Sequence, residues 1–218
     1  MSAIAATPRK SFRETQFEVR EEAIIEATNR LLGTRGYEMM SMDDIAAEVG
    51  IAKGSLYRHF ESKEALAAAV MVRLLERTRA ALAALPAELD ARDKLEQLLR
   101  WTLAERLEGS VPHLPSTSPA LRDSLLANRG YMDQLMALSD AVGALIQQAR
   151  REGGLRSDLG DEFILFTFYS RSCDPTMDFL KATGALTDAQ IVDQMVSACF
   201  DGIAGPAARA ASPEVTSR

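Results

Sequence analysis

Lys53, Gly54, Ser55, Tyr57, Arg58 and His59 crowd cations, hydroxyls and an imidazole into seven consecutive positions. The apolar residues of the same stretch, Leu56 and Phe60, lie four apart and so point to one side of a helix, leaving the polar set on the other. Lys53 can reach a guanine edge or a phosphate, Ser55 can donate or accept at either, and Gly54 lets a backbone come close. Tyr57 offers a hydroxyl to phosphate above an apolar ring. Ser41 and Lys63 stand at the starts of the preceding and following helices, where helix amino termini favour anions. Between residues 52 and 63 the balance is positive, Lys53, Arg58 and Lys63 against Glu61. This is chemistry for holding a polyanion and reading base edges.

The rest of the chain does not share that bias. Twenty-five Lys and Arg against 31 Asp and Glu leave the 218 residues at a net charge of −6, so any phosphate contact must be local. Cys173 and Cys199 have no Cys or His nearby in sequence, which excludes a disulfide framework and zinc-ligand spacing and leaves structural thiols in a reduced, cytoplasmic protein. His59 and His113 have no ligand partners at helical or loop spacing, so no metal or cofactor is expected. A Gly-rich phosphate loop, a nucleophile elbow and a histidine beside an acid and a nucleophile are all missing, which argues against an enzyme. No apolar run reaches the roughly 18 residues of a membrane span.

The elements that must position this cluster read as helices throughout. Residues 1–15 carry Pro8, Arg9, Lys10 and Arg13 and read as a flexible basic arm. Ile24, Ala27 and Leu31 then mark a helix that Gly36 stops. Ser41 is spaced to cap a short helix through the amide of Asp44, with Ile45, Ala46 and Val49 inward and Gly50 ending it. A third short helix is expected from Ala52 to Phe60. Ser62 caps a fourth that runs toward Leu85 and is closed by Pro86. Small Ala46, the Gly50 turn and Leu56 together have the spacing of a helix-turn-helix.

Leu95, Leu98, Leu99, Thr102, Leu103 and Leu107 form a later apolar stripe, and Leu135, Leu138, Val142, Leu145 and Ala149 another. Between them lies the loop GSVPHLPSTSPA. The segment from Asp161 is apolar almost all round and is expected to be buried, as core or as an interface between copies. Arg171 and Asp174 within it need partners: each other, a second subunit or a polar ligand. Pro175 ends or kinks that helix, and Thr187 with Gln190 has capping-box spacing for a final one. No segment alternates as a strand would.

Residues from about 20 to 66, IIEATNRLLGTRGYEMMSMDDIAAEVGIAKGSLYRHFESKEAL and its flanks, resemble the DNA-binding domain of the TetR family of bacterial transcriptional regulators. Gly36-Tyr37, Ile45-Ala46, Gly50, the Leu56-Tyr57-x-x-Phe60 run and Lys63-Glu64-x-Leu66 fall at that family's spacing. Ala52 departs from it, standing where a Ser or Thr usually caps the recognition helix.

The resemblance implies an all-α protein: a three-helix helix-turn-helix domain over residues 16–66, a helical ligand-binding and dimerisation domain over 67–206, and a tail over 207–218. It further implies a homodimer that represses transcription from a palindromic double-stranded operator until a small-molecule effector releases it. Ser41, Lys53, Gly54, Ser55, Tyr57, Arg58, His59 and Lys63 are the expected DNA contacts. Trp101, Met132, Met136, Phe166, Tyr169 and Met177 are candidates for the effector pocket. The competing reading is a helical binding module controlled by a protein partner, without an inducer.

Overall fold

In the computed structural model, residues 11–110 and 119–202 are described, residue 120 by its backbone alone. Ten helices and no strand occur among them. The expected arm at residues 1–10, most of the proline-rich loop with His113, and the tail lie outside the described residues. By packing, the chain forms two compact units, residues 1–80 with 108–138, and residues 81–107 with 139–218.

Unit 1 begins with α1 (Phe12–Met39), five residues earlier than Phe17, where the apolar pattern starts. The reason is local: Ser11 accepts from the Glu14 amide while the Glu14 carboxylate takes the Ser11 amide, a reciprocal cap that starts the helix ahead of its core-facing stripe. Residues 12–15 are therefore helical, not arm. Gly36, at φ 73°, breaks the helix near its end. α2 (Met42–Val49) carries the expected Ser41 cap and closes on Gly50, also at φ 73°. α3 is shorter than expected, Lys53–Leu56 instead of Ala52 to Phe60; the chain continues to Phe60 in tight turns, with amides 57 and 60 bonding back to carbonyls 53 and 56. Ala52 gives α3 no side-chain cap. Such a cap typically contributes about 1 kcal/mol, which helps explain the short α3. α4 (Lys63–Ala83) starts under Ser62, whose hydroxyl accepts from the Ala65 amide at 3.1 Å.

The core of unit 1 joins Ile24, Leu32, Ile45, Leu56 and Leu66 with Leu121 of α6 (Pro119–Ala127). Packing thus divides the chain differently from a boundary at 66/67: α6 and most of α4 belong with the amino-terminal helices. Leu56 and Leu121 are fully or nearly fully buried, and helices distant in sequence close the same core.

Unit 2 is built on α5 (Ala91–Leu107), the second half of α7 (Arg129–Arg151), α8 (Asp161–Ser172), α9 (Thr176–Thr183) and α10 (Asp188–Phe200). The α5 stripe is buried as expected, packed with Ile191, Met195 and Val196 of α10. Pro175 separates α8 from α9, and Thr187 with Gln190 caps α10 reciprocally. Arg171 and Asp174 answer each other at 2.6 Å. Of the two places expected for α8, core or an interface between copies, the core of one chain takes little of it. Only Phe168 is buried; Phe163 and Phe166 are 60% and 68% exposed, because one chain supplies neighbours to one face of α8 alone.

Candidate nucleic-acid interface

The helix-turn-helix is held together by short-range bonds that its own residue types dictate. Gly50 adopts a left-handed backbone that an L side chain would strain, and the Gly50 and Ile51 amides return to α2 carbonyls. Leu56, fully buried, pins α3 against Ile45 and Ala46 of the same core.

On this frame Ser41, Lys53, Gly54, Tyr57 and Arg58 are exposed, and Ser55 is half-buried. Their charges are already organised. Lys53 Nζ lies 2.8 Å from the Asp43 carboxylate, Arg35 Nη1 lies 2.8 Å from Asp44, and Arg58 Nη2 donates to Ser55 Oγ at 3.1 Å. Asp44 is held below the usual carboxylate range, first by the Ser41 hydroxyl and amide and then by Arg35. Asp43 raises the Lys53 ammonium. The Lys53 ammonium stays charged, and both ion pairs are exposed enough to exchange at little cost.

Two expected contacts take other places. His59 does not join the outward set: its side chain is 4% exposed, stacked on Phe17 at 4.0 Å between centroids. Nδ1 lies 4.0 Å from Glu21, too far for a hydrogen bond, and burial lowers its pKa. The helical count placed it outward because it assumed α3 ran to Phe60; the turn after Leu56 rotates it back to α1. Lys63 is partly buried and donates to the Tyr37 carbonyl at 3.1 Å while lying 4.2 Å over the Tyr37 ring. Tyr37 OH in turn donates to Glu64 at 2.7 Å, which lowers the Glu64 carboxyl, while burial and then Glu64 push the phenol up. This knot, which ties the end of α1 to the start of α4, was not recognised in the sequence, although both dipeptides belong to the spacing quoted for the family.

The six pocket candidates differ in their burial. Met132 and Met136 lie in unit 1 and the others in unit 2; Met136 and Phe166 are exposed, Met177 is fully buried, and Tyr169 meets Ser139 at 3.0 Å. None lines the cavity of about 150 Å³ in unit 2, whose walls include Leu95, Ile146, Leu155, Ile164, Phe168 and Phe200 with Thr167 and Cys199. Helical spacing named soft and aromatic residues; the cavity instead opens where α5, α8 and α10 meet the turn after α7. Among the described residues no three His, Cys, Asp or Glu side chains are grouped to hold a metal ion.

Residues 24–70 match the family model of bacterial regulatory proteins of the tetR family. The chain belongs to the TetR family. It is 26% identical over 204 residues to the HTH-type transcriptional repressor KstR2 of Rhodococcus jostii, covering 92% of this chain and 95% of that one. It is 29% identical over 176 residues to the repressor AcnR of Corynebacterium diphtheriae, covering 80% and 87%. The solved structure of AibR in complex with isovaleryl coenzyme A and operator DNA shares the fold at a TM-score of 0.60 and 24% identity, covering 83% of this chain and 98% of AibR. This TetR-family chain is accordingly a DNA-binding transcriptional regulator, and none of its described helices is long and apolar enough to cross a membrane.

Proposed function

We propose that this regulator is a cytoplasmic, non-enzymatic repressor that binds a palindromic operator as a homodimer and lets go when a small, mainly apolar molecule occupies unit 2. The observation that carries the DNA reading is the edge formed by exposed Lys53, Tyr57 and Arg58 with half-buried Ser55, on a helix-turn-helix locked by Gly50 and Leu56. In this reading Lys53 and Ser55 meet base edges, with Gly54 allowing close approach. Tyr57, Arg58 and the Ser41 end of α2 hold phosphate. Asp43 and Asp44 keep the cations oriented until phosphate displaces them. Lys63 acts mainly by fixing α4 to Tyr37.

The apolar cavity of unit 2 supports an effector with a hydrocarbon body, and the acyl thioester bound by AibR is one such class. The exposed Phe163 and Phe166 of α8 supply an apolar face for a second copy, as the dimeric reading requires. Repression then depends on α4, whose two ends would follow whichever state the effector prefers.

Selection of genomic fragments by the purified full chain at moderate salt, followed by sequencing, tests this. Recovery of one palindromic motif is expected. Retention of nothing, or of all fragments equally, overturns the operator reading and favours a protein partner instead.

A further inference from the structure

Phe12–Arg20 form more than two helical turns of α1 in which every residue is exposed, an extension that runs past the core before Ile24 is reached. A helix this exposed gains little from burial, so its direction must be set by few contacts. One such contact is the Phe17 ring stacked on His59, at the end of the turns that follow the recognition helix. His59 also has Glu21 at 4.0 Å, one helical turn beyond Phe17. Arg13, Phe17 and Arg20 recur at steps of four and three and share one face of α1. At 3.6 residues per turn that face is continuous with core-facing Ile24 and Leu31, whereas Glu14, Glu18 and Glu22 lie roughly 100–180° around the helix. Glu21, roughly 40° around from Phe17, faces His59 itself, so the sorting is by flank: Arg13 and Arg20 lie to one side of the Phe17 ring and the glutamates to the other.

We propose that Phe12–Arg20 is a second DNA-contacting element, a phosphate clamp formed by Arg13 and Arg20 and seated on the helix-turn-helix by the Phe17–His59 stack. This rests on the operator-binding reading and extends its interface. Phe17 and His59 are positioning residues: they touch no DNA and aim the arginines beside Arg58. Both arginines touch backbone phosphate, so the clamp adds affinity and salt dependence without sequence preference.

The test measures binding of the full chain to the selected operator duplex and to single-base variants of it, from low to moderate salt. Each phosphate contact contributes about 0.9 to the slope of log affinity against log salt, so R20A should lower the slope by roughly 1.8 in a dimer and R13A by a similar amount. The loss should be equal on every operator variant, whereas K53A should change the ranking of variants. F17A should flatten the slope without removing a charge, and F17Y, which keeps the stack, should restore it. An unchanged slope for both R13A and R20A, alongside an altered ranking for K53A, overturns the clamp and leaves the operator reading intact. Failure of the unaltered chain to retain any duplex overturns both.

Discussion

The recognition turn of unit 1 and the Arg106 site of unit 2 place their charges in opposite ways. On the helix-turn-helix the outward cations meet partners close in sequence: Lys53 pairs with Asp43, Arg35 pairs with Asp44, and Arg58 donates to the neutral Ser55 hydroxyl. In unit 2 Arg106 is buried and bonds the Ser172 carbonyl at 3.2 Å and Asp178 at 2.9 Å, while Lys181 bonds the Leu107 carbonyl at 2.6 Å, all more than 60 positions away. Exposed local pairs can be exchanged for phosphate; the buried Arg106 cannot give up its partners, since separating them strands a charge away from water. The recognition turn carries charge that a partner can use, and Arg106 carries it to hold α5 to α8 and α9.

The strongest way to break this contrast is to open a void in each core. Leu56→Ala in unit 1 and Leu99→Ala in unit 2 should each cost about 2–5 kcal/mol in chemical denaturation. Only Leu56→Ala should abolish operator binding at a temperature where both variants remain folded. Equal loss of binding from Leu99→Ala would show that the units do not divide the work.

Arg106→Ala should destabilise by about 1–3 kcal/mol, because the Ser172 carbonyl loses its donor. Its denaturation should respond little to added salt. An Asp43→Ala change, which removes only an exposed pair, should leave stability within about 0.5 kcal/mol. Gly50→Ala is expected to cost about 1–2 kcal/mol, since the left-handed backbone there crowds any Cβ against its own carbonyl. Ser41→Ala should remove about 1 kcal/mol and let the Asp44 carboxyl rise toward its ordinary value, readable by NMR titration.

The smallest effect concerns His59. Burial holds its pKa below the ordinary 6.5, so the unfolded chain takes up the proton more readily than the folded one. Its contribution to stability is full above about pH 6.5 and is lost as pH falls through that value toward the lower folded one. His59→Phe, which preserves a stack with Phe17, should flatten that decline between pH 7 and 5. A decline as steep as in the unaltered chain would show that other groups carry it.

Much of unit 1 was legible because its instructions are local. Ser41 with Asp44, Gly50, Ser62 and the Leu56 and Phe60 pair act over three or four positions, and the structure has each where the spacing requires. Helical counting puts His59 outward because it has no access to the turn over residues 57–59, which sets that side chain's direction. The reciprocal caps at Ser11 and Thr187 follow the same spacing rule, yet only Thr187 was read, since Ser11 precedes any apolar stripe that would draw attention to it.

In unit 2 the α5 stripe and the α10 cap were readable from period alone, but the cavity was not. Its walls come from α5, α8, α10 and the turn after α7, and which side chains converge depends on how four helices cross. The sequence by itself determined the helices, their caps, the recognition turn and the family. Tertiary structure decided that α6 completes the core of unit 1, that α8 covers itself on one face only, that Phe17 seats His59, and where the cavity lies. The physical reason is range: caps and turns are settled by hydrogen bonds within a few residues, whereas burial is settled by partners tens of residues away whose approach no local pattern encodes.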